Sequence, residues 1–476
     1  MPKLKRTISL FLLSIILFSI YSCAAENEDA VVPEYDGAIN EEDLSFSGME
    51  FNFLINSTLY SSEEFILGYV QDSFFADLAK ERIKDVQEKY DIKIEINNIG
   101  SDVTTVIRQD IYSGQSLYEA VQDASTRIAP GVRSGFYTDL TTLSEYIDYT
   151  DSSKWGNTEQ IKPLIWKGGI YGVVPSALPL QQFNSIEGIM VVNETMIKQL
   201  NQTDPREFVE NREWTWEKFE ELMPIYTHTN NVGETVYAYY STIHWLFRAI
   251  QLTNGTPVTY KDDDGDWKLG VYSQNSRDAY ERGFQWAFGE YSDYVYIEPG
   301  NAWTNLLPNF VDGISVTAII QATQIFGTSN SVAYMMEDFG ILHMPVGPNG
   351  SYETPGTTYN EVSFCTSIPV ICEYPEMSAI ILNALYDYLP GYETTEATLE
   401  FFETNYFYDL RDAKNLLNAF QNAQYEYRNE GLTDIVININ DSKTMSEWIE
   451  MYETEYEEYR QEYVLNIEPT IEELFN

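Results

Sequence analysis

The sequence predicts an α/β protein with a parallel sheet and crossover helices, divided between more than one core. The first observation is the order of patterns near the start of the body. It reads strand, helix, strand, helix, strand, as a parallel sheet with crossover helices does. The second is length, since 476 residues exceed what one core organises and suit two or three domains. The third is a central stretch, Trp166 to Met223, where extended apolar runs again alternate with helical ones.

Each element follows from its spacing. Met49 to Asn56 puts Met49, Phe51, Phe53 and Ile55 on one face, as a strand does. Asp72 to Tyr90 repeats Phe75, Leu78, Ala79, Ile83, Val86 and Tyr90 at helical spacing, and Ile92, Ile94 and Ile96 alternate with Lys93 and Glu95. Val103 to Tyr112 is helical and stops at Gly114, and Leu117 to Val121 is a third strand. In the central stretch Ile170 to Pro175 is extended, and Gly188 to Val192 is an apolar strand ending at Asn193, which begins a helix. After the Asp204-Pro205 turn, Thr215 caps a helix whose apolar face runs Phe219, Leu222, Met223, Tyr226.

Val258 to Val271 reads as a hairpin. Its turn lacks the glycine and glutamate of a calcium loop, Trp267 and Ser273 standing at those positions counted from Asp262, so it is an acidic turn. Ser276 to Phe288 is helical, Val362 to Ile371 extended and Glu376 to Leu389 helical. Near the end Thr444 and Glu447 form a capping box. Trp448, Tyr452, Tyr456, Tyr459 and Tyr463 follow at spacings of three and four, the pattern of a packing face.

Charge excludes one class of partner. With 28 Lys and Arg against 74 Asp and Glu, the chain repels a phosphate backbone, so nucleic acid is no partner. At the N-terminus Lys3, Lys5 and Arg6 precede an apolar run, Ile8 to Ile20, shorter than the roughly 20 residues that span a bilayer. Ile20-Tyr21-Ser22-Cys23 then resembles a bacterial lipoprotein signal, which implies that residues 1–22 are removed and Cys23 carries lipid. Residues 23–48 are acidic and without Lys or Arg, which reads as a flexible tether holding a body off the membrane. Cys365 and Cys372 sit in one strand-like run, too far apart to bridge without a tight bend, and read as buried free thiols.

Catalytic signatures are missing: no G-x-S-x-G elbow, no G-x-x-x-x-G-K loop, no H-E-x-x-H and no G-x-G-x-x-G, and three scattered histidines. What stands out is aromatic abundance, with Tyr 36, Phe 24 and Trp 9. Flat rings beside planar polar groups suit a sugar, which presents C–H faces and a ring of hydroxyls.

Tyr171, Gly172, Val173 and Pro175, then Asn193, then Thr215, Trp216, Glu217 and Phe219 together resemble the entry into the second lobe of the extracellular solute-binding proteins of ATP-driven importers, the maltose-binding-protein-like family. Tyr118-Glu119-Ala120-Val121, Gly135 to Leu140, Phe310 to Ala318 and Phe339 to Pro348 resemble further landmarks of that family. The resemblance implies a type II two-lobed α/β fold with hinge strands and a ligand cleft between the lobes. Lobe 1 would take residues 49–173 and 322–385, and lobe 2 residues 174–321 and 386–476, the run Phe310 to Ala318 crossing back to lobe 1.

Carried over position by position, the resemblance places ligand contacts at Asn56, Ser57, Asp123, Ser176, Gln181, Trp245, Trp303 and Gln321. It implies a monomeric, lipid-anchored protein on the outer face of the cell membrane. That protein would use no metal, cofactor or catalysis, bind a mono- or oligosaccharide and hand it to the transmembrane subunits of an ABC permease. The alternatives are a secreted enzyme acting on polysaccharide and a binding protein for a non-sugar solute such as a peptide.

Overall fold

The strand Met49–Asn56 is central to a four-stranded sheet in the computed structural model, which describes residues 44–56, 65–70, 73–179, 186–325, 331–359, 362–426 and 443–475. It pairs in parallel with Ile92–Ile99 along its whole length and with Ala120–Asp123 on its other side. Phe51, Phe53 and Ile55 are buried, as their alternation requires. The helix Phe74–Tyr90 makes the first crossover. Ser73 Oγ caps it by accepting from Ala76 N, and Asp91 ends it in the left-handed conformation. Val103–Ser113 makes the second and ends at Gly114, φ 68°. The third strand starts three residues past the expected Leu117 and runs two past Val121 to a polar end at Asp123, because it follows the register of its neighbour.

A second sheet is built around Ile189–Asn193, whose five residues are all buried. Ser315–Ile320 and Phe339–Leu342 flank it, both antiparallel. Beyond Ser315–Ile320 lies Thr235–Ser241 in parallel, and Val295–Ile297 pairs in parallel with that strand too. Phe219, on the helix Trp216–Tyr226, packs against Trp214, Tyr239 and Trp286, which binds that helix to the sheet.

Several sequence expectations are corrected here. The run Phe310 to Ala318 does not cross to the first sheet: it forms the helix Leu306–Val311 and then the buried strand Ser315–Ile320 inside the second. Phe339–Leu342, expected in the first lobe, also belongs to the second sheet. The return to the first sheet comes at Cys365–Ser367, a shorter strand than expected, antiparallel to Ala120–Asp123. An all-apolar strand satisfies either sheet equally well, so only pairing decides its place. The expected tether also ends earlier than residue 48. Phe46 is buried against Tyr90, and Phe46 N and Gly48 N donate to Tyr90 and Asp91 carbonyls. Cys23, Ser57 and Gln181 lie outside the described residues, and no helix among those described is long and apolar enough to cross a membrane.

The extended run after Ile170 reaches the first sheet by one bridge. Val173 and Thr366 exchange backbone hydrogen bonds of 2.9 and 2.8 Å, and Gly172 sits so close that a Cβ there would lie 2.7 Å from the Thr366 carbonyl oxygen. Glycine is therefore required at this position.

The last 90 residues touch both sheets' surroundings. Phe401 packs 4.7 Å from Phe75 of the first crossover helix, while Asp412 and Asn415 bond the backbone of Ile341 in the second sheet. The capping box at Thr444 and Glu447 starts Met445–Tyr459, whose Trp448, Tyr456 and Tyr459 are buried. In Leu465–Phe475, Glu468 meets Lys162 at 2.8 Å and accepts from Thr259 Oγ1 at 2.6 Å. Cys365 and Cys372 are not in a disulfide, the first buried with its thiol donating to the Val362 carbonyl and the second partly buried.

One buried guanidinium organises the outer edge of the second sheet. Arg206, 3% exposed, donates to Asp204, Glu194 and Asp412, and Asp412 accepts in turn from Ile341 N at 2.7 Å. The edge strand's outward backbone groups are thus filled by side chains. Burial pushes Asp204 up, but hydrogen bonds from Arg206 outweigh it and hold the carboxyl below its ordinary value. Asp409 is held low chiefly by its bond from Arg411. Asp412 goes the other way: burial raises it to about 7, against the pull of Arg206.

Replacing Arg206 by Met leaves the buried Asp412 and the partly buried Asp204 and Glu194 without their cation and is expected to cost about 3–5 kcal/mol in urea unfolding. Asp204 and Asp409 contribute stability that is present above their ordinary 3.8 and lost as pH falls through their lower folded values. Asp412 has the opposite sign, since its folded form holds a proton more tightly. Its contribution declines as pH rises from 3.8 to about 7, and Asp412→Asn should remove that decline from a stability–pH profile.

Candidate ligand-binding site

The site follows from strand direction in the second sheet. Thr235–Ser241, Val295–Ile297 and Ser315–Ile320 run parallel, so the loops after them emerge at one edge, the edge where open α/β sheets hold ligands. The strand Ile189–Asn193 is antiparallel to Ser315–Ile320 with Ile189 opposite Ile320, so its start lies at that same edge. Glu187, two residues before Ile189, therefore comes beside Gln321, one residue after Ile320.

Glu187 is buried, and both its oxygens are held by neutral donors. Gln321 Nε2 donates to Oε1 at 2.7 Å and Trp245 Nε1 to Oε2 at 3.0 Å. Trp245 sits in the first turn of Ile243–Thr253, the helix that follows Thr235–Ser241 and is capped by Thr242 Oγ1. Trp303 lies in the loop after Val295–Ile297. That loop is fixed by Glu298, which accepts from Asn305 at 2.7 Å and from the Tyr240 hydroxyl. The Trp245 and Trp303 rings are 6.4 Å apart, Trp245 almost fully buried and Trp303 43% exposed. Of the eight expected contact residues, Trp245 and Gln321 thus meet at one carboxylate, and Trp303 lies against the Trp245 ring.

Behind them stands a second buried set. His244 and Arg248, one helical turn apart, face Glu426: Arg248 Nε is 2.9 Å from Oε1 and His244 Nε2 3.7 Å from Oε2. Glu426 follows Gln424–Tyr425, which joins Thr358–Tyr359 and Ile186–Glu187 in a three-stranded sheet where Thr358 pairs with both Gln424 and Glu187. One ligand atom from each of Glu187, His244 and Glu426 lies within 4.8 Å of the others.

Asn56 and Asp123 also meet, at the C-terminal ends of adjacent parallel strands of the first sheet. Asn56 Nδ2 donates to both Asp123 oxygens at 3.0 and 3.1 Å. Asp123 further accepts from Ala124 N, Val103 N and Arg127 Nη1. These bonds tie two strand ends to the starts of two helices, so Asp123 serves as a structural cap. Burial raises its pKa while those donors oppose the shift. Ser176 departs from the expected set. Its hydroxyl bonds the Val174 carbonyl, and it lines another groove with Asn157, Gln160, Tyr388 and Phe420.

Sequence reasoning missed Glu187, His244, Arg248 and Glu426. A charged residue inside the buried run Ile186 to Asn193 marks the first, and two ionisable residues four apart on a mostly apolar helix mark the next two. Glu426 carries no local mark.

No protein-family model and no curated protein matches the chain. Solved structures do. A sugar transporter from Rhizobium etli in an open conformation gives a TM-score of 0.58 at 15% identity, covering 86% of this chain and 99% of that one. UgpB from Mycobacterium tuberculosis in complex with glycerophosphocholine gives 0.54 at 15%, covering 87% and 98%. The galacto-N-biose- and lacto-N-biose I-binding protein of an ABC transporter from Bifidobacterium longum, in complex with lacto-N-biose, gives 0.53 at 12%, covering 88% and 99%. The likeness at these identities is one of fold.

The two tryptophans should separate by their roles. Trp245→Phe removes a donor from a buried carboxylate and is expected to cost about 1–3 kcal/mol in denaturant unfolding. Trp303→Ala, at an exposed position, should stay within about 0.5 kcal/mol of the parent. Equal losses would show that Trp303 is core.

Proposed function

We propose that this chain, which has the two-lobed α/β fold of the ABC solute-binding proteins, captures a small carbohydrate outside the cell and presents it to a membrane permease. The observation that carries this reading is the exposed Trp303 ring set against Trp245, beside the acceptor-rich group of Glu187 and Gln321. An aromatic face takes the C–H side of a sugar ring, and carboxylate and amide groups take its hydroxyls. Binding to a mono- or oligosaccharide needs no covalent step. Contacts from both lobes favour a closed form, and the permease reads closure as a population shift.

Asn56, with Ser57, contributes from the first lobe, Gln181 from the segment after the hinge, and Asp123 holds the strand ends that position Asn56. The lobes follow the two sheets: residues 49–173 with the strand Cys365–Ser367 in one, and the strands from Ile189 to Leu342 in the other. A lipid on Cys23 would keep the monomeric body at the outer face of the membrane.

The reading is tested by thermal unfolding of the purified full-length protein against mono- and oligosaccharides, with glycerophosphocholine and short peptides as non-sugar arms. A sugar at 100 times its dissociation constant adds about 2.7 kcal/mol, and Trp303→Ala should weaken that sugar by about 1 kcal/mol, roughly fivefold. New reducing ends in the same samples would instead identify a polysaccharide-acting enzyme, and a shift with only a non-sugar arm would replace the substrate class.

A further inference from the structure

We propose that Glu187, His244 and Glu426 form a divalent-cation site that takes Zn²⁺ or Mn²⁺. The three side chains come from three separate parts of the chain, 4%, 4% and 0% exposed, and bring one ligand atom each within 4.8 Å of the others. His244 Nε2 and Glu426 Oε2 face one another at 3.7 Å, too long for a hydrogen bond. Two ligand atoms bound at about 2.1 Å to one tetrahedral ion stand about 3.4 Å apart, so this gap is close to the one a shared ion creates.

Glu426 supplies an independent observation. Both its carboxylate oxygens are completely buried, and neither accepts a hydrogen bond of ordinary geometry among the described residues. Its near neighbours are cationic or able to become so: Arg248 beside Oε1 at 2.9 Å and His244 beside Oε2. Arg248 takes one side of the carboxylate and leaves the other turned to the imidazole. Glu187 has its oxygens oriented by Trp245 and Gln321, the kind of outer bonds that hold a ligating carboxylate in place while leaving it lone pairs for a metal. One imidazole with two carboxylates favours Zn²⁺ or Mn²⁺ over Ca²⁺ or Mg²⁺, which call for six or more oxygens.

The inference does not rest on the carbohydrate reading, because the metal alone is the probe. The full-length protein, stripped with chelator, is titrated with Zn²⁺, Mn²⁺, Ca²⁺ and Mg²⁺ by calorimetry, and with Co²⁺ followed by visible absorption. One equivalent of Zn²⁺ or Mn²⁺ at least tenfold tighter than Ca²⁺ or Mg²⁺ is expected, with a tenfold or greater loss in both His244→Gln and Glu426→Gln. The intense absorption of four- or five-coordinate Co²⁺ should appear in the parent protein, which settles the matter should either variant fail to fold. Weak binding of several ions with the faint spectrum of six-coordinate Co²⁺ would assign the metal to surface acids and overturn the proposal. So would tight binding that neither folded variant changes. The sugar panel, run with and without chelator, reports separately on the carbohydrate reading.

Discussion

The antiparallel pairing of Ile189–Asn193 with Ser315–Ile320 is the constraint on which the candidate site depends. Three parallel strands deliver their following loops to one edge of the second sheet, and this reversed strand starts where they end. A shift of one residue in that register would turn alternate side chains to the opposite face and carry Glu187 away from Gln321. Burial enforces the register: every residue of both strands is buried, so a slip would leave apolar side chains unmatched on both sides.

Three charged groups that organise this apolar frame are met by partners. Glu187 lies between neutral donors, Asp123 accepts from four groups of the described chain, and Arg206 sits among several carboxylates. The first two lie at strand ends, where backbone direction brings several elements together, and the third seals a sheet edge. Glu426 differs: it is a fully buried carboxylate with Arg248 Nε 2.9 Å away, yet neither of its oxygens accepts a hydrogen bond of ordinary geometry among the described residues. Such departures are where a fold gives up local consistency, and they gather at sites of function.

Fold likeness at 11 to 15% identity, with nothing matched by family models, has a plain physical meaning here. Strand order and crossover direction are set by periodicity and handedness, which many sequences satisfy, whereas ligand contacts are single side chains on loops. Agreement in the first therefore carries the architecture and leaves the solute to experiment.

Much of the architecture was legible residue by residue. The alternation in Met49–Asn56, the helical face from Phe75 to Tyr90, the stop at Gly114, the caps at Asn193 and Thr215 and the box at Thr444 and Glu447 are local, because hydrogen bonding and burial over a few residues decide them. Resemblance named Trp245, Trp303 and Gln321 one by one, but no local pattern brought Trp245 and Gln321 to the same carboxylate. The placement of Phe339–Leu342 was not legible, since four buried apolar residues fit the interior of either sheet. Nor was the groove of Ser176, where Tyr388 and Phe420, more than 200 positions away, join Asn157 and Gln160.

The sequence by itself determined most of the strands, helices and caps, the acidic net charge, and the strand–helix alternation behind the parallel pairs, all consequences of short-range spacing and composition. Tertiary structure alone decided which sheet each apolar strand joins, and which polar residues share the buried edge. Glu187, His244 and Glu426 are separated by 57 and 182 positions along the chain, and only the pairing of distant strands brings their ligand atoms within reach of one another.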